Sequence, residues 1–386
     1  MSGFAVKRTL YPNISRNFFY IYINDSVCLH MSLTIQQSRK LKTAGSFILA
    51  GVVLGPVFTV FSDGFTSPVP YINAVVIGFS VALLVAILEL YVFTGGMRKL
   101  KFITVLALRT GLYLVLITII IFMITVLSRA IRYDVSFAEV LQSEEFQHFV
   151  YKGHFSTIIV YTLAIAFTVN FTRQMSRKMG QGVLLSFITG KYYRPVQEER
   201  IFMFMRIRHS DRIMQKLGHL KSYKFLNDFI YDITEPVLVH RGEIYQYVDD
   251  EIVVSWDMKH GLKNAQCIRT FFEAKRTIYE NREHYYNQYG LVPQLQAGFH
   301  CGRVVIGEIG DIKSEIAFYG DIMNTTSRVL AQCNVLNHEI LIAAHLMYRL
   351  HLPVIYESEA CGHIQLKGKE KPLELHTVKE AKVQYL

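Results

Sequence analysis

The sequence predicts two architectures in series: an all-α region of four membrane-spanning helices, then an α+β globular domain with helices on a mixed sheet. Three observations predict it. In a chain that is 51% apolar, the apolar residues concentrate in the first 175 positions, in runs near the roughly 20 residues that cross a bilayer. Basic residues cluster at alternate ends of those runs. From Gln197 onward, short apolar strands alternate with stretches of helical spacing, over a length that buries a full core.

Residues 1–43 form an N-terminal cytoplasmic extension. The first thirty are mixed polar and aromatic, without signal-peptide architecture. The stretch from Met31, MSLTIQQSRKLK, reads as a natural start, with the residues before it a start-site artefact or a loose extension. The four-span region, 44–174, follows, with spans near 44–61, 70–94, 103–127 and 155–173. The first is short and contains Pro56, so a buried core helix is an alternative for it. Arg39, Lys40 and Lys42 precede it, Arg98, Lys99 and Lys101 fill the second turn, and Arg173, Arg177 and Lys178 follow the fourth. Residues 62–69 carry no Lys or Arg, and 128–154 mix Arg129, Arg132 and Lys152 with Asp134, Glu139, Glu144 and Glu145. By the positive-inside rule both termini are cytoplasmic. Much of the net charge of +10 is therefore topological, and nucleic acid is not an expected partner.

Two charges lie within spans. Glu89 and Arg109 fall near the cytoplasmic ends of consecutive antiparallel helices, where they can pair; a structural pair and a sensing role both fit. Cys28, Cys267, Cys301, Cys333 and Cys361 have neither CxxC nor metal spacing and read as small, reduced core residues.

Residues 175–197 are a linker punctuated by Gly180, Gly182, Gly190 and Pro195, and the globular domain is 198–386. The run 201–207, IFMFMRI, suits a central strand. Helical spacing covers 211–239, and a hairpin occupies 242–256. A helix is expected at 263–289, then a strand at 294–300 leading into GRVVIGEIG, a strand at 315–319 and a helix at 321–334. Strands at 340–343 and 363–366 follow, and KGKEKPLELHTV closes the domain.

Two segments carry chemistry. GEIYQYVDDEIVVSW places Asp249 and Asp250 at a hairpin tip, where carboxylates can meet a hard cation without being buried unpaired. YGDIMNTTSR places Asn324 and Arg328 four apart, on one face of a helix. Together they suggest work on a phosphate ester, although an acidic turn by itself is usually a solvated turn.

The order of the hairpin carboxylates, HCGRVVIGEIG, YGDIMNTTSR and LKGKEKPLELHTV resembles the catalytic domain of class III nucleotide cyclases, the adenylate and guanylate cyclases, over about 198–380. The four spans ahead of it are similar to those of bacterial membrane-bound members. The resemblance implies a ferredoxin-like core and a head-to-tail dimer, a homodimer or a heterodimer with another cyclase chain. It also implies an inner-membrane location, with the domain in the cytoplasm and lipid around the spans. Two Mg²⁺ or Mn²⁺ ions would be held by two aspartates of one protomer, and an Asn and an Arg would come from the other. On this pattern Asp250 is the second metal aspartate, Asn324 orients the ribose and Arg328 stabilises the transition state, with Lys367 or Lys369 contacting the triphosphate. Gln246 and Ala317 stand at the purine-selecting positions. They lack the Lys/Asp pair that makes an adenine choice readable; ATP is the expected substrate because bacterial relatives with this layout are mostly adenylate cyclases, with GTP possible.

The departures are as specific as the matches. The first metal aspartate is expected after FMF, where this chain has Arg206. A guanidinium cannot ligate a cation. About 4 Å from a divalent ion it would cost on the order of 8 kcal/mol at an effective dielectric of 20, so the two-metal site is expected to be impaired. Asp249 replaces the usual glycine and offers a partial substitute, and Asp211 is a candidate partner for Arg206 or Arg208. Three readings stay open: a homodimeric cyclase with an altered metal site, one half of a heterodimer, and a non-catalytic regulatory relative.

Overall fold

The computed structural model describes residues 44–45, 48–57, 59–60, 68–92, 101–151, 154–180 and 182–381. Contacts divide it into two compact units, one comprising residues up to 99 with 116–148, the other 100–115 with 149–386. The expected N-terminal extension, 1–43, lies outside the described residues, as do Arg98, Lys99, Lys152 and Cys28.

Among the described residues, three helices are long and apolar enough to cross a membrane, Pro70–Tyr91, Phe102–Tyr133 and Phe155–Ser176. The first expected span is represented by the shorter α1, Ile48–Val57. It packs on α2, Pro68–Ile87, through small residues four apart. A Cβ on Gly78 would stand 2.2 Å from the Gly51 carbonyl oxygen, and one on Gly55 would stand 2.4 Å from that of Ala74. Backbone approach of this kind replaces the hydrophobic drive that lipid cannot supply. A π-helical turn, Leu88–Val92, ends α2. Glu89 within it and Arg109 on α3, Phe102–Tyr133, are each buried. Asn73 accepts a hydrogen bond from the Ser128 hydroxyl at 2.8 Å. Residues 128–154, expected as a link, are largely helical. α3 runs to Tyr133, and α4, Phe137–Gln142, starts at a Ser136/Glu139 capping box. Then come α5, Glu144–Tyr151, and α6, His154–Met179.

The expected linker contains α7, Val183–Thr189, between two left-handed glycines, Gly182 and Gly190. It also holds the first residues of β1, Val196–Ile207. After β1 come α8, Ser210–Leu217, and α9, His219–Val239. One helix was expected there; Gly218, at φ 72° and ψ 164°, breaks it. β2, Glu243–Val248, and β3, Glu251–Asp257, form the hairpin. The short α10, Met258–Leu262, leads to α11, Gln266–Glu280, and α12, Arg282–Tyr289, which part at Asn281. β4, Leu295–Ile309, and β5, Glu315–Tyr319, are followed by α13, Asp321–Val335. β6, Ile340–Ala343, α14, Ala344–Met347, β7, Tyr356–Ile364, and β8, Leu373–Glu380, complete the domain.

The mixed sheet has the order β2-β3-β1-β4-β6-β8-β7, with β5 paired to β4. β1 is central because both its faces are apolar, as expected of a strand covered on two sides. Ile201, Met203, Met205 and Ile207 pack with Phe225, Phe229 and Ile233 of α9 and Phe271 of α11. Phe202 and Phe204 lie in the second core with Val329 and Leu330 of α13. α13 comes so close to β4 that a Cβ on Gly298 would meet the Leu330 backbone nitrogen at 2.4 Å. This approach fixes the helix over the sheet and with it the position of Asn324 and Arg328.

Candidate active site

The end of β1 and the β2–β3 hairpin tip build the first half of the site. Val248 pairs with Glu251 across the hairpin, so the two-residue tip is Asp249–Asp250, with Asp249 left-handed at φ 51°. Asp and Asn tolerate that conformation better than most residues, so an aspartate can stand where the resemblance implied glycine. β1 and β3 pair in a register that sets Arg206 opposite Glu251. The Arg206 guanidinium donates to the Glu251 carboxylate at 3.5 Å. Burial, with the neighbouring Asp250 and Asp249 carboxylates, pushes the Glu251 carboxyl up, and Arg206 opposes that shift.

Asp250 accepts a hydrogen bond from the Ser210 hydroxyl at the start of α8. Together they line a pocket of about 210 Å³ with Arg206, His209, Asp211, Arg212 and Asn334. Asp211 thus shares the pocket with Arg206, whose ion-pair partner is Glu251. Arg208 donates instead to Asn337 at 2.6 Å. Strand register decides the first of these pairings.

The second half is on α13 and the loop before β8. Asn324 is exposed and Arg328 half-buried, one turn apart on the same helix. Lys369 donates to Asp321 in the first turn of α13, and that bond holds the Asp321 carboxyl below its usual range. Lys367 is exposed. Between the lysines, Gly368 at φ +70° turns the chain, and its missing Cβ leaves room for the Arg328 guanidinium, which one would approach to 3.4 Å. The two positions expected to select the purine lie on strands that do not pair with each other. Gln246 is exposed on the edge strand β2, and Ala317 is half-buried on β5. Their chain neighbours touch: the Phe318 amide donates to the Tyr245 hydroxyl at 3.3 Å, and the rings meet at 4.6 Å.

His300 on β4 lies near Lys369 and Asp321. Burial, with His345 and Lys369 nearby, lowers it to about 4, and its buried Nδ1 has no protein partner. A folded-state value below the ordinary 6.5 means that the unfolded chain takes the proton first. The neutral imidazole therefore leaves stability intact above about pH 6.5, and stability falls as the pH drops from there toward 4. By pH 5 the loss from this residue is about 2 kcal/mol, or roughly 4–8 °C in Tm for a domain of this size. His300→Gln is expected to lose correspondingly less on acidification from pH 7 to 5 in thermal melts of the full chain.

The donors present do not fit a pair of divalent cations. Among the described residues no group of three or more His, Cys, Asp or Glu is arranged to hold a metal ion. A guanidinium stands beside the hairpin carboxylates, and one Asp250 oxygen is engaged by Ser210. Arg206, Asp250 and Asp211 are brought together, as are Arg328, Lys369 and Asp321. Ser210, His209, Arg212, Asn334 and Glu251 enter the first half unannounced by the sequence. HSDR directly after a strand was the only signal for three of them.

Residues 193–380 match the family model of the adenylate and guanylate cyclase catalytic domain. Adenylate cyclase 2 of Rhizobium meliloti (strain 1021) is 35% identical over 216 residues, 56% of this chain and 60% of that protein. The photoactivated adenylate cyclase subunit beta of Euglena gracilis is 35% identical over 78 residues, 20% of this chain and 9% of that protein. A solved bacterial light-regulated adenylyl cyclase superposes with a TM-score of 0.49 at 21% identity, covering 59% of this chain and 67% of that one. The chain spans at most 60% of the length of these two sequence relatives. The match to the adenylate and guanylate cyclase catalytic domain is therefore a property of residues 193–380, just under half of the chain.

Proposed function

We propose that the chain is a membrane-anchored cyclase subunit acting as one half of a heterodimer that converts ATP to 3′,5′-cyclic AMP and diphosphate. The 3′-oxygen bonds to the α-phosphorus, the bond to the β-phosphate bridge breaks, and the hydroxyl proton is released. This chain contributes Asn324 to orient the ribose, Arg328 to meet charge building on the α-phosphate, and Lys369, with Lys367 beside it, to contact the triphosphate. Gln246 and Ala317 stand at the base; Gln246 can bond either purine edge, so GTP is the competing substrate. The partner is a cyclase chain that keeps both metal aspartates. The anchor lies in the inner-membrane lipid, with the cyclase domain in the cytoplasm.

One observation carries this reading: Arg206 occupies the pocket of Asp250 and pairs with Glu251, while on α13 no cation stands between Asn324, which is exposed, and Arg328 one turn on. A homodimeric cyclase with an altered metal site is the second reading. It is favoured by the pair Asp249–Asp250, which puts two carboxylates at the hairpin tip.

Complementation tests the proposal. Full-length protein in bilayers, given ATP with Mg²⁺ or Mn²⁺, is expected to be silent by itself. Mixed with a cyclase chain that keeps its metal aspartates but lacks its own Asn and Arg, it is expected to restore cyclic AMP formation. Strong activity of the chain unaided would refute the heterodimer and favour the homodimer.

A further inference from the structure

We infer that the pocket at Arg206 takes the phosphate groups of a nucleotide without a divalent cation, in contrast to the metal-bridged binding that a pair of aspartates requires. This rests on reading the pocket as the phosphate end of the nucleotide site.

The lining residues carry the argument. Arg206 and Arg212 are cations, Asp211 and Asp250 anions, and Ser210 and Asn334 neutral hydrogen-bonding groups. With His209 neutral, the formal charge of the lining is zero; with an aspartate in place of Arg206 it would be −2. A lining of −2 repels a polyphosphate unless a dication intervenes. A neutral lining with guanidinium donors repels it less, even with Glu251 beside Arg206. Arg206 engages Glu251 through one terminal nitrogen, at 3.5 Å, and a guanidinium has five N–H donors in a fork suited to phosphate. Of the two anions in the lining, Asp250 has one oxygen occupied by the Ser210 hydroxyl. α8 begins at Ser210, so its first amides and the positive end of its dipole belong to the same pocket. At about 210 Å³ the space falls below the roughly 300–1,000 Å³ typical of small-molecule sites. It suits phosphate groups, with the nucleoside lying outside it.

Equilibrium binding of ATP to the full chain in bilayers, in excess EDTA and in Mg²⁺, tests this. ATP is expected to bind in EDTA within about threefold of its affinity in Mg²⁺, and inorganic diphosphate to compete with it. Competition by diphosphate shows that the phosphates are what the pocket reads; its failure, with ATP still binding, would place binding on the base and ribose and overturn the inference. Arg206→Gln is expected to weaken binding in EDTA about tenfold, as loss of a charged hydrogen-bonding group does. Arg206→Asp is expected to make binding depend on Mg²⁺. Arg212→Gln, at an exposed position, changes nothing in the core and is expected to cost about threefold, so the inference stays testable if the Arg206 variants misfold. Binding seen only with Mg²⁺, or unchanged in EDTA by Arg206→Gln and Arg212→Gln, overturns it. Complementation reads cyclisation at the composite site with the partner's aspartates, so either result can fail while the other stands.

Discussion

Arg206→Asp is expected to raise Mg²⁺- or Mn²⁺-dependent cyclase turnover of the unaided chain at least about a hundredfold, equivalent to ~2.7 kcal/mol. The gain has two sources. It removes a cation whose repulsion of a divalent ion is of order 8 kcal/mol at about 4 Å. It also adds a carboxylate beside Asp250, in a strand whose register already faces the hairpin. The same change leaves Glu251, which burial already pushes up, without its guanidinium partner and next to more negative charge. Metal-free Arg206→Asp protein should therefore melt below the wild type and recover on adding Mn²⁺, because a ligand that binds only the folded state stabilises it. Arg206→Ala separates the two sources, since it removes the repulsion without supplying a ligand, and should gain less. Cyclic AMP formation by purified full-length variants is the measurement. A variant that folds, melts higher with Mn²⁺ and still makes no product would place the block somewhere other than this arginine. Because a self-pair must then use its own second half, Arg206→Asp combined with Asn324→Ala should lose that gain.

What the sequence made legible divides along a physical line. The run 201–207 was readable as a central strand because Ile201, Met203, Met205 and Ile207 face one apolar layer while Phe202 and Phe204 face the other. α13 was readable because its polar positions share a helical face. Breaks inside helices were not: Gly218 and Asn281 end helices by backbone conformation, and the apolar spacing continues across both. The helical content of 128–151 was hidden because short polar helices differ little from loops in composition; the capping residues Ser136 and Glu139 were the available sign. Within the site, local pattern pointed to Asp249, Asp250, Asn324 and Arg328. It did not say that Arg206 faces Glu251 and not Asp211, because that depends on which residue the register of β1 and β3 sets opposite it. That Lys369 pairs with Asp321 depended likewise on the turn at Gly368. Asn334 reaches the first half of the site from α13, more than 120 positions after Arg206 in the chain and outside the range of any local pattern.

Arg328→Ala should abolish most of the complementing activity: about 10²–10³ in kcat, the cost of removing a donor aimed at charge that develops in the transition state. KM should change little. Charge on the α-phosphate is greatest at the transition state, and the ground-state triphosphate keeps Lys369, which Asp321 already holds at the start of α13. Arg328→Lys should recover only part of the loss, because an ammonium supplies a point charge and not a planar fork. Asn324→Ala acts on ribose orientation from the preceding turn of the same helix, and a double variant should lose less than the product of the two single losses, as residues serving one transition state do. The mixture to assay is the one that isolates this half: wild-type or variant chain with a partner that has both metal aspartates but neither the Asn nor the Arg. If Arg328→Ala complements as well as the wild type, α13 does not face the reacting phosphate, and the chain's contribution to the dimer must lie elsewhere. If it fails while the protein still pairs with its partner and melts normally, the half-site on α13 is what this chain brings to catalysis, despite the guanidinium where a metal aspartate is expected.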